Sequence, residues 1–138
     1  MIILVGVTMS WLGLSAGAQG GDKFRARLSP VPVEAATVAG ITGAGSATAA
    51  LTGTTLAITG TFEGLRSPAT VARLHLGGRG IRGPAIFDLT VSKGTTGTIG
   101  GKLTLSRAQV EDLKKGRFYV QINSEKSPEG NLWGWLLQ

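Results

Sequence analysis

Gly130-Asn131-Leu132-Trp133-Gly134-Trp135-Leu136-Leu137 decides how the rest of this chain is read. In an extended strand, alternate side chains point to opposite faces. Leu132, Gly134 and Leu136 then share one face, and Trp133, Trp135 and Leu137 share the other. One apolar face is met by the domain's own core, whereas the second calls for another layer, a membrane surface or a partner protein. Burying two indoles is worth several kcal/mol, at about 25 cal/mol per Å² and roughly 150–250 Å² for each large aromatic side chain. Either the pair packs beneath the helix or a long loop of the same chain, or Trp133, Trp135 and Leu137 form a partner-docking face. Trp is over-represented at binding hot spots and at lipid interfaces, which supports the second reading.

The chain has 138 residues, enough for one domain with a working core. Its 22 Gly, against one Tyr and four Phe, together with short runs of Thr, Ala and Val, favour strands and tight turns. Phe24-Arg25-Ala26-Arg27-Leu28 alternates apolar and basic residues with period 2, and Ser29-Pro30-Val31-Pro32 stops it. Gly43 to Leu51 and Leu56 to Phe62 read as a hairpin turning at Thr52-Gly53-Thr54. Further strands are predicted at Thr70 to Leu76, Ala85 to Val91, Thr98 to Leu105, Phe118 to Asn123 and Leu132 to Leu137. The fold class is all-β, a sandwich or barrel of about eight strands.

One helix interrupts the strands. Ser106 and Gln109 have the spacing of a capping box, and Leu105 and Val110 sit where a hydrophobic staple belongs. The helix is predicted from Arg107 to about Lys115, with Gly116 as its left-handed stop and Lys114, Lys115 and Arg117 at the negative end of its dipole.

Residues 1–21 carry no charge, and Met1 to Leu14 is almost wholly apolar before Ser15-Ala16-Gly17-Ala18. This is an export leader, with Ala16 and Ala18 at the small positions of a cleavage site before Gln19. It lacks the basic opening usual for such leaders, and the alternative is a retained anchor helix. About 18 residues at 1.5 Å each cover some 27 Å, just under the roughly 30 Å of a bilayer core. The domains are therefore 1–21, signal peptide or membrane anchor, and 22–138, a β domain on the periplasmic or extracellular face of the cytoplasmic membrane.

With 14 Lys and Arg against 8 Asp and Glu, the net charge is +6, all of it after residue 21. That attracts acidic partners or anionic lipid headgroups. Nucleic acid is not expected, since the basic residues are scattered and no aromatic stacking platform accompanies them. The absence of cysteine excludes disulfides, thiolate catalysis and Cys-based metal sites.

His75 is the sole histidine, without a second ligand or a nucleophile in evident company, so a structural role bonded to a loop carbonyl is expected. Gly77-Gly78-Arg79-Gly80-Ile81-Arg82-Gly83 lacks P-loop spacing and is followed by a strand pattern, so it reads as a wide turn. Arg73, His75, Arg79 and Arg82 are nevertheless candidates to bind an anionic small molecule or headgroup. Asp88, Glu63, Glu125 and Glu129 show no spacing that pairs them as acid and base. No catalytic residue, cofactor or metal ligand is assigned, and no enzymatic activity is expected.

Together these motifs resemble the CHRD domain, the module named from chordin and found in many exported microbial proteins. The resemblance runs from Phe24 to Leu136, through Phe24 to Leu28 with Pro30 to Val33, Phe62-Glu63-Gly64-Leu65, Val71-Ala72-Arg73-Leu74-His75 and Gly83-Pro84-Ala85-Ile86-Phe87-Asp88-Leu89. It continues through Leu103-Thr104-Leu105 with Leu113 and Gly116, Phe118 to Ser124, and Ser127-Pro128-Glu129-Gly130-Asn131-Leu132-Trp133-Gly134. It implies an immunoglobulin-like β-sandwich or barrel and lends no enzymatic activity.

Three departures shape the functional expectation. Where relatives usually show His-Ile-His this chain has Arg73-Leu74-His75, and where they show Asn-Val-His-Thr it has Gln121-Ile122-Asn123-Ser124, so a metal site built on those histidines is not expected. Where relatives commonly read Glu-Ile-Arg-Gly-Gln it has Asn131-Leu132-Trp133-Gly134-Trp135. Two solvent-seeking positions hold indoles instead. The expected function is a non-enzymatic exported accessory subunit docking onto a larger, membrane-embedded protein complex, such as a respiratory or photosynthetic one. The alternative is a module that binds an anionic ligand.

Overall fold

The computed structural model describes residues 21–32 and 41–138. Eight strands appear in chain order: β1 (Asp22–Pro30), β2 (Ala44–Thr52), β3 (Thr55–Glu63), β4 (Ala69–Leu76), β5 (Ala85–Val91), β6 (Gly97–Thr104), β7 (Phe118–Ser124) and β8 (Leu132–Trp135). One helix, α1 (Arg107–Lys114), lies between β6 and β7. The strands close into an antiparallel barrel in the order β1-β2-β3-β6-β5-β4-β7-β8. Of the two all-β architectures that the strand pattern allows, the closed barrel forms. The leader expected over residues 1–21 lies outside the described residues except for Gly21. Among the described residues, no helix is long and apolar enough to cross a membrane.

Period-2 alternation fills the barrel. Phe24, Ala26 and Leu28 of β1, Leu56, Ile58 and Phe62 of β3, and Leu74 of β4 point inward and are buried. Each such large side chain contributes about 1.5–3 kcal/mol over its exposed state. β2 supplies Ala47 and Ala49 at the inward positions. Its small side chains leave room for the larger ones of β1 and β3. Closure is thin at two seams: β5 meets β6 through Thr90 and Val91, and β8 meets β1 through Ser29 and Pro30 plus an isolated bridge between Arg25 and Leu137.

α1 forms as its capping signals predict. The Gln109 N–H donates to Ser106 Oγ at 3.1 Å, and the Ser106 N–H donates to Gln109 Oε1 at 2.8 Å. Gly116 ends it with φ of 73°. Leu105 and Leu113 are buried in the same core as the barrel interior. The helix thus covers one barrel end, which also gathers the start of β1, the β2–β3 turn, the β4–β5 loop and the chain's last residues.

β7, like the short β8, is buried on both sides. Phe118, Val120 and Ile122 face the core, while Tyr119 and Gln121, on the outward side, are also buried. Something outside the barrel wall must cover them.

Leu74→Ala is expected to cost about 2–5 kcal/mol of unfolding free energy, as for other fully buried leucines. Ser106→Ala is expected to cost about 1 kcal/mol through the lost cap. Urea denaturation of both variants measures the two losses.

Candidate functional site

The cover over β7 is the β4–β5 loop, residues 77–83, folded back along the outer wall of β7 and β8. Beneath it, outward side chains from three neighbouring strands form a connected aromatic row. The His75 ring of β4 stacks on Tyr119 of β7 with centroids 4.9 Å apart. Tyr119 lies 4.5 Å from Trp135 and 5.5 Å from Trp133, both on β8, and the two indoles meet at 4.6 Å. Each offset or edge contact is worth about 0.5–1.5 kcal/mol beyond the area it buries. Val31 completes this second, outer cluster.

Polar atoms of three of its rings hold the loop. The Trp135 Nε1–H donates to the Gly77 carbonyl at 2.9 Å. The Tyr119 hydroxyl accepts from the Gly83 N–H at 2.9 Å and donates to the Gly83 carbonyl at 3.2 Å. His75 Nδ1 is 2.9 Å from the same carbonyl. Since a carbonyl only accepts, Nδ1 carries the proton. This is the loop carbonyl expected for His75. A Cβ at Gly83 would fall 1.7 Å from the Leu76 carbonyl oxygen, so the close return of the loop requires glycine there.

The loop tip is a tight turn closed by the Ile81 N–H donating to the Gly78 carbonyl at 2.9 Å, with Gly80 at φ of 79°. A positive φ at the third turn position is the type II arrangement, which glycine adopts without strain. The turn displays Arg79 and Ile81 outward, both exposed. Among the described residues, Ile81 is the one large apolar side chain left in water, 62% exposed. Arg82 lies over the Trp133 ring at 5.8 Å and donates to the Glu129 carbonyl at 3.1 Å, tying the loop to the β7–β8 connection. Beside this tie lies a cleft of about 300 Å³, lined by Ile41, Arg82, Lys126, Pro128, Glu129 and Gly130, with Ser127.

The β7–β8 connection is itself fixed from below. The Ser124 hydroxyl donates to Asn131 Oδ1 at 2.7 Å, and Asn131 Nδ2 donates to the Thr42 carbonyl at 2.8 Å. Gln121 Nε2 donates to Asn123 Oδ1 at 2.9 Å and to the Glu129 carbonyl at 3.3 Å. Among the described residues, no buried side-chain nitrogen or oxygen lacks a hydrogen-bond partner.

The sequence-predicted docking residues separate. Trp133 is 8% exposed, packed under the loop and against Tyr119 and Trp135. Of the two covers the sequence leaves open for the outer face of β8, a loop of the same chain lies over the indoles. Trp135 and Leu137 are half-buried. Leu137 stands apart from the indoles, pairing with Arg25 and lying near Gly116, because β8 ends at Trp135.

The four anion-binding candidates are largely committed elsewhere. Arg73 Nε is 3.0 Å from Asp88 Oδ1 with both side chains exposed, a pair worth little in water. His75 and Arg82 hold the loop, while Arg79 remains exposed on the turn. Among the described residues, no three His, Asp or Glu side chains gather as a metal site would require.

Tyr119, Ile81 and Lys126 belong to the site, although sequence reasoning did not single them out. Tyr119 was detectable: it occupies the outward parity of a strand whose inward parity is Phe118, Val120 and Ile122.

The family model of the CHRD domain matches residues 24–136. The chain belongs to the CHRD-domain family. This family is of the non-catalytic, binding type. Comparison with curated proteins and with solved structures finds no match in either. The barrel is the structure of this CHRD domain, with the loop and aromatic row built on its β4–β7–β8 wall.

Tyr119→Phe removes the hydroxyl that serves both polar groups of Gly83. It is expected to cost about 1–3 kcal/mol and to raise amide hydrogen exchange in residues 77–83 while leaving the β1–β3 amides protected.

Proposed function

We propose that this CHRD domain is a non-enzymatic, exported accessory subunit that docks onto a larger membrane-associated protein complex, and that its contact element is the 77–83 loop. The observation that carries this reading is Ile81, 62% exposed on a turn that the aromatic row holds in place. A glycine-rich loop would ordinarily lose much conformational freedom on binding. Here the hydrogen bonds from Trp135, Tyr119, His75 and Arg82 have already fixed it. A partner therefore meets a preorganised apolar knob flanked by Arg79 and Arg82. The chemistry it recognises is an apolar socket with an acidic rim.

The tryptophans keep a role in docking, but from beneath. Trp133 and Trp135 shape the loop, whereas Ile81 and Arg79 touch the partner. The apolar N-terminal segment, read as an export leader, supports placing this contact outside the cytoplasm, and the non-catalytic character of the family supports an accessory role.

Ile81→Asp separates docking from folding, since the side chain is exposed and its removal disturbs no packed neighbour in the core. In native membranes solubilised with mild detergent, the wild-type chain is expected to migrate with a high-mass complex and Ile81→Asp as the free protein. The loss of one buried isoleucine corresponds to an affinity drop on the order of 10- to 100-fold. Thermal melts of the two chains should coincide. If both chains run identically, whether free or assembled, Ile81 is not the contact.

A further inference from the structure

The positive charge of this barrel is not spread evenly between its two ends. Apart from the 77–83 loop, the end that receives the start of β1 carries seven cations: Lys23 and Arg25 on β1, Lys102 on β6, and Arg107, Lys114, Lys115 and Arg117 on or beside α1. All seven are exposed. The carboxylates on the same elements are Asp22, Glu111 and Asp112. Asp22 pairs with Lys114 and Asp112 with Arg117, each at 3.5 Å. At the opposite end, Arg66, Lys93 and Lys126 are balanced by Glu63, Glu125 and Glu129.

Topology produces this polarity. In the antiparallel barrel β1 begins where β6 ends, with α1 leading from β6 into β7 at that same end. The Lys114–Asp22 pair joins the last turn of α1 to the first residue of β1. Basic residues at a helix C-terminus are favoured by the helix dipole. In this fold that preference adds Lys114 and Lys115 to the charges of the β1 start.

The second observation is in the sequence. The segment that leads into β1 is uncharged through residue 21 and almost wholly apolar through Leu14. Charge at the junction starts with Asp22 and Lys23. A cationic surface directly following a membrane-compatible segment has the arrangement of a juxtamembrane basic cluster, where each Lys or Arg near an anionic surface adds about 1 kcal/mol.

We infer that the α1 end of the barrel is a binding surface for anionic lipid headgroups, set by Lys23, Arg25, Arg107, Lys115 and their neighbours. It orients the domain with α1 toward the bilayer. The 77–83 loop runs from this end up the side wall, so the lipid-facing and partner-facing surfaces are different, and neither inference needs the other.

The full-length chain is tested against phosphatidylcholine vesicles and against mixed phosphatidylcholine and phosphatidylglycerol vesicles. The readout is the ratio of the two partition coefficients, in which any contribution of the apolar leader cancels. Two triple charge reversals change net charge equally. Lys23→Glu/Arg25→Glu/Arg107→Glu alters the α1 end, and Arg66→Glu/Lys93→Glu/Lys126→Glu alters the other. None of these six side chains forms an ion pair among the described residues, and all are exposed.

The wild-type ratio is expected to be well above one at low salt and to collapse at high salt. The α1-end reversal should lower it on the order of a hundredfold, the opposite-end reversal far less. The corresponding glutamine variants should show the same ranking. Three results overturn the inference: a wild-type ratio of one, equal losses in both triples, or tighter binding of the α1 end to duplex DNA or an acidic polypeptide than to the mixed vesicles.

Discussion

β7 is buried on both faces, and that constraint organises the functional half of the molecule. A barrel wall ordinarily needs one apolar face, so Tyr119 and the indoles of β8 make an outer surface that water would penalise. The chain answers by folding residues 77–83 over them. Apolar cover alone would leave the loop's backbone groups unpaired in a dry place, at about 1–3 kcal/mol each. Tyr119, Trp135 and His75 solve both problems at once, because each has an apolar ring to bury and a polar atom to pair with a loop amide or carbonyl.

That arrangement changes what the tryptophans mean. Read as exposed rings they would themselves be the contact surface, whereas in the fold they lie beneath a loop whose tip leaves Ile81 exposed. The turn at Gly80 then places Ile81 in water while the rest of the loop is tied down at Gly77, Arg82 and Gly83. Rigidity of the underlying row and exposure of the tip are two consequences of the same hydrogen bonds.

Much of this was readable from the residues. Strand positions follow from period-2 alternation, and Ala85–Val91 falls where the pattern puts it. The capping box at Ser106 and Gln109 fixes the helix start because both partners lie within one turn. The loop's destination was not readable, since Arg82 reaches Glu129 and Gly83 reaches Tyr119 across long separations in sequence. Alternation shows that Trp133 and Trp135 leave the core face of β8. It cannot show which segment returns to cover them. Likewise Leu137 shares the parity of the indoles, but β8 ends before it and the bridge to Arg25 draws it toward α1.

Charge adds a second axis. The side wall carries the 77–83 loop with its exposed Ile81 and the α1 end carries the surplus of cations, so the two proposed contacts fall on different surfaces. The loop is held by the consecutive strands β4, β7 and β8, whereas the cation-rich end joins α1 to the start of β1.

The solvent exchange of the Trp135 indole N–H, followed by NMR in the intact protein, decides whether the loop rests on the aromatic row. Protection comparable to the β7 amides, with cross-relaxation to Gly77 protons, is expected from a closed loop. Exchange at the rate of a free indole, with no contact to Gly77, would contradict it.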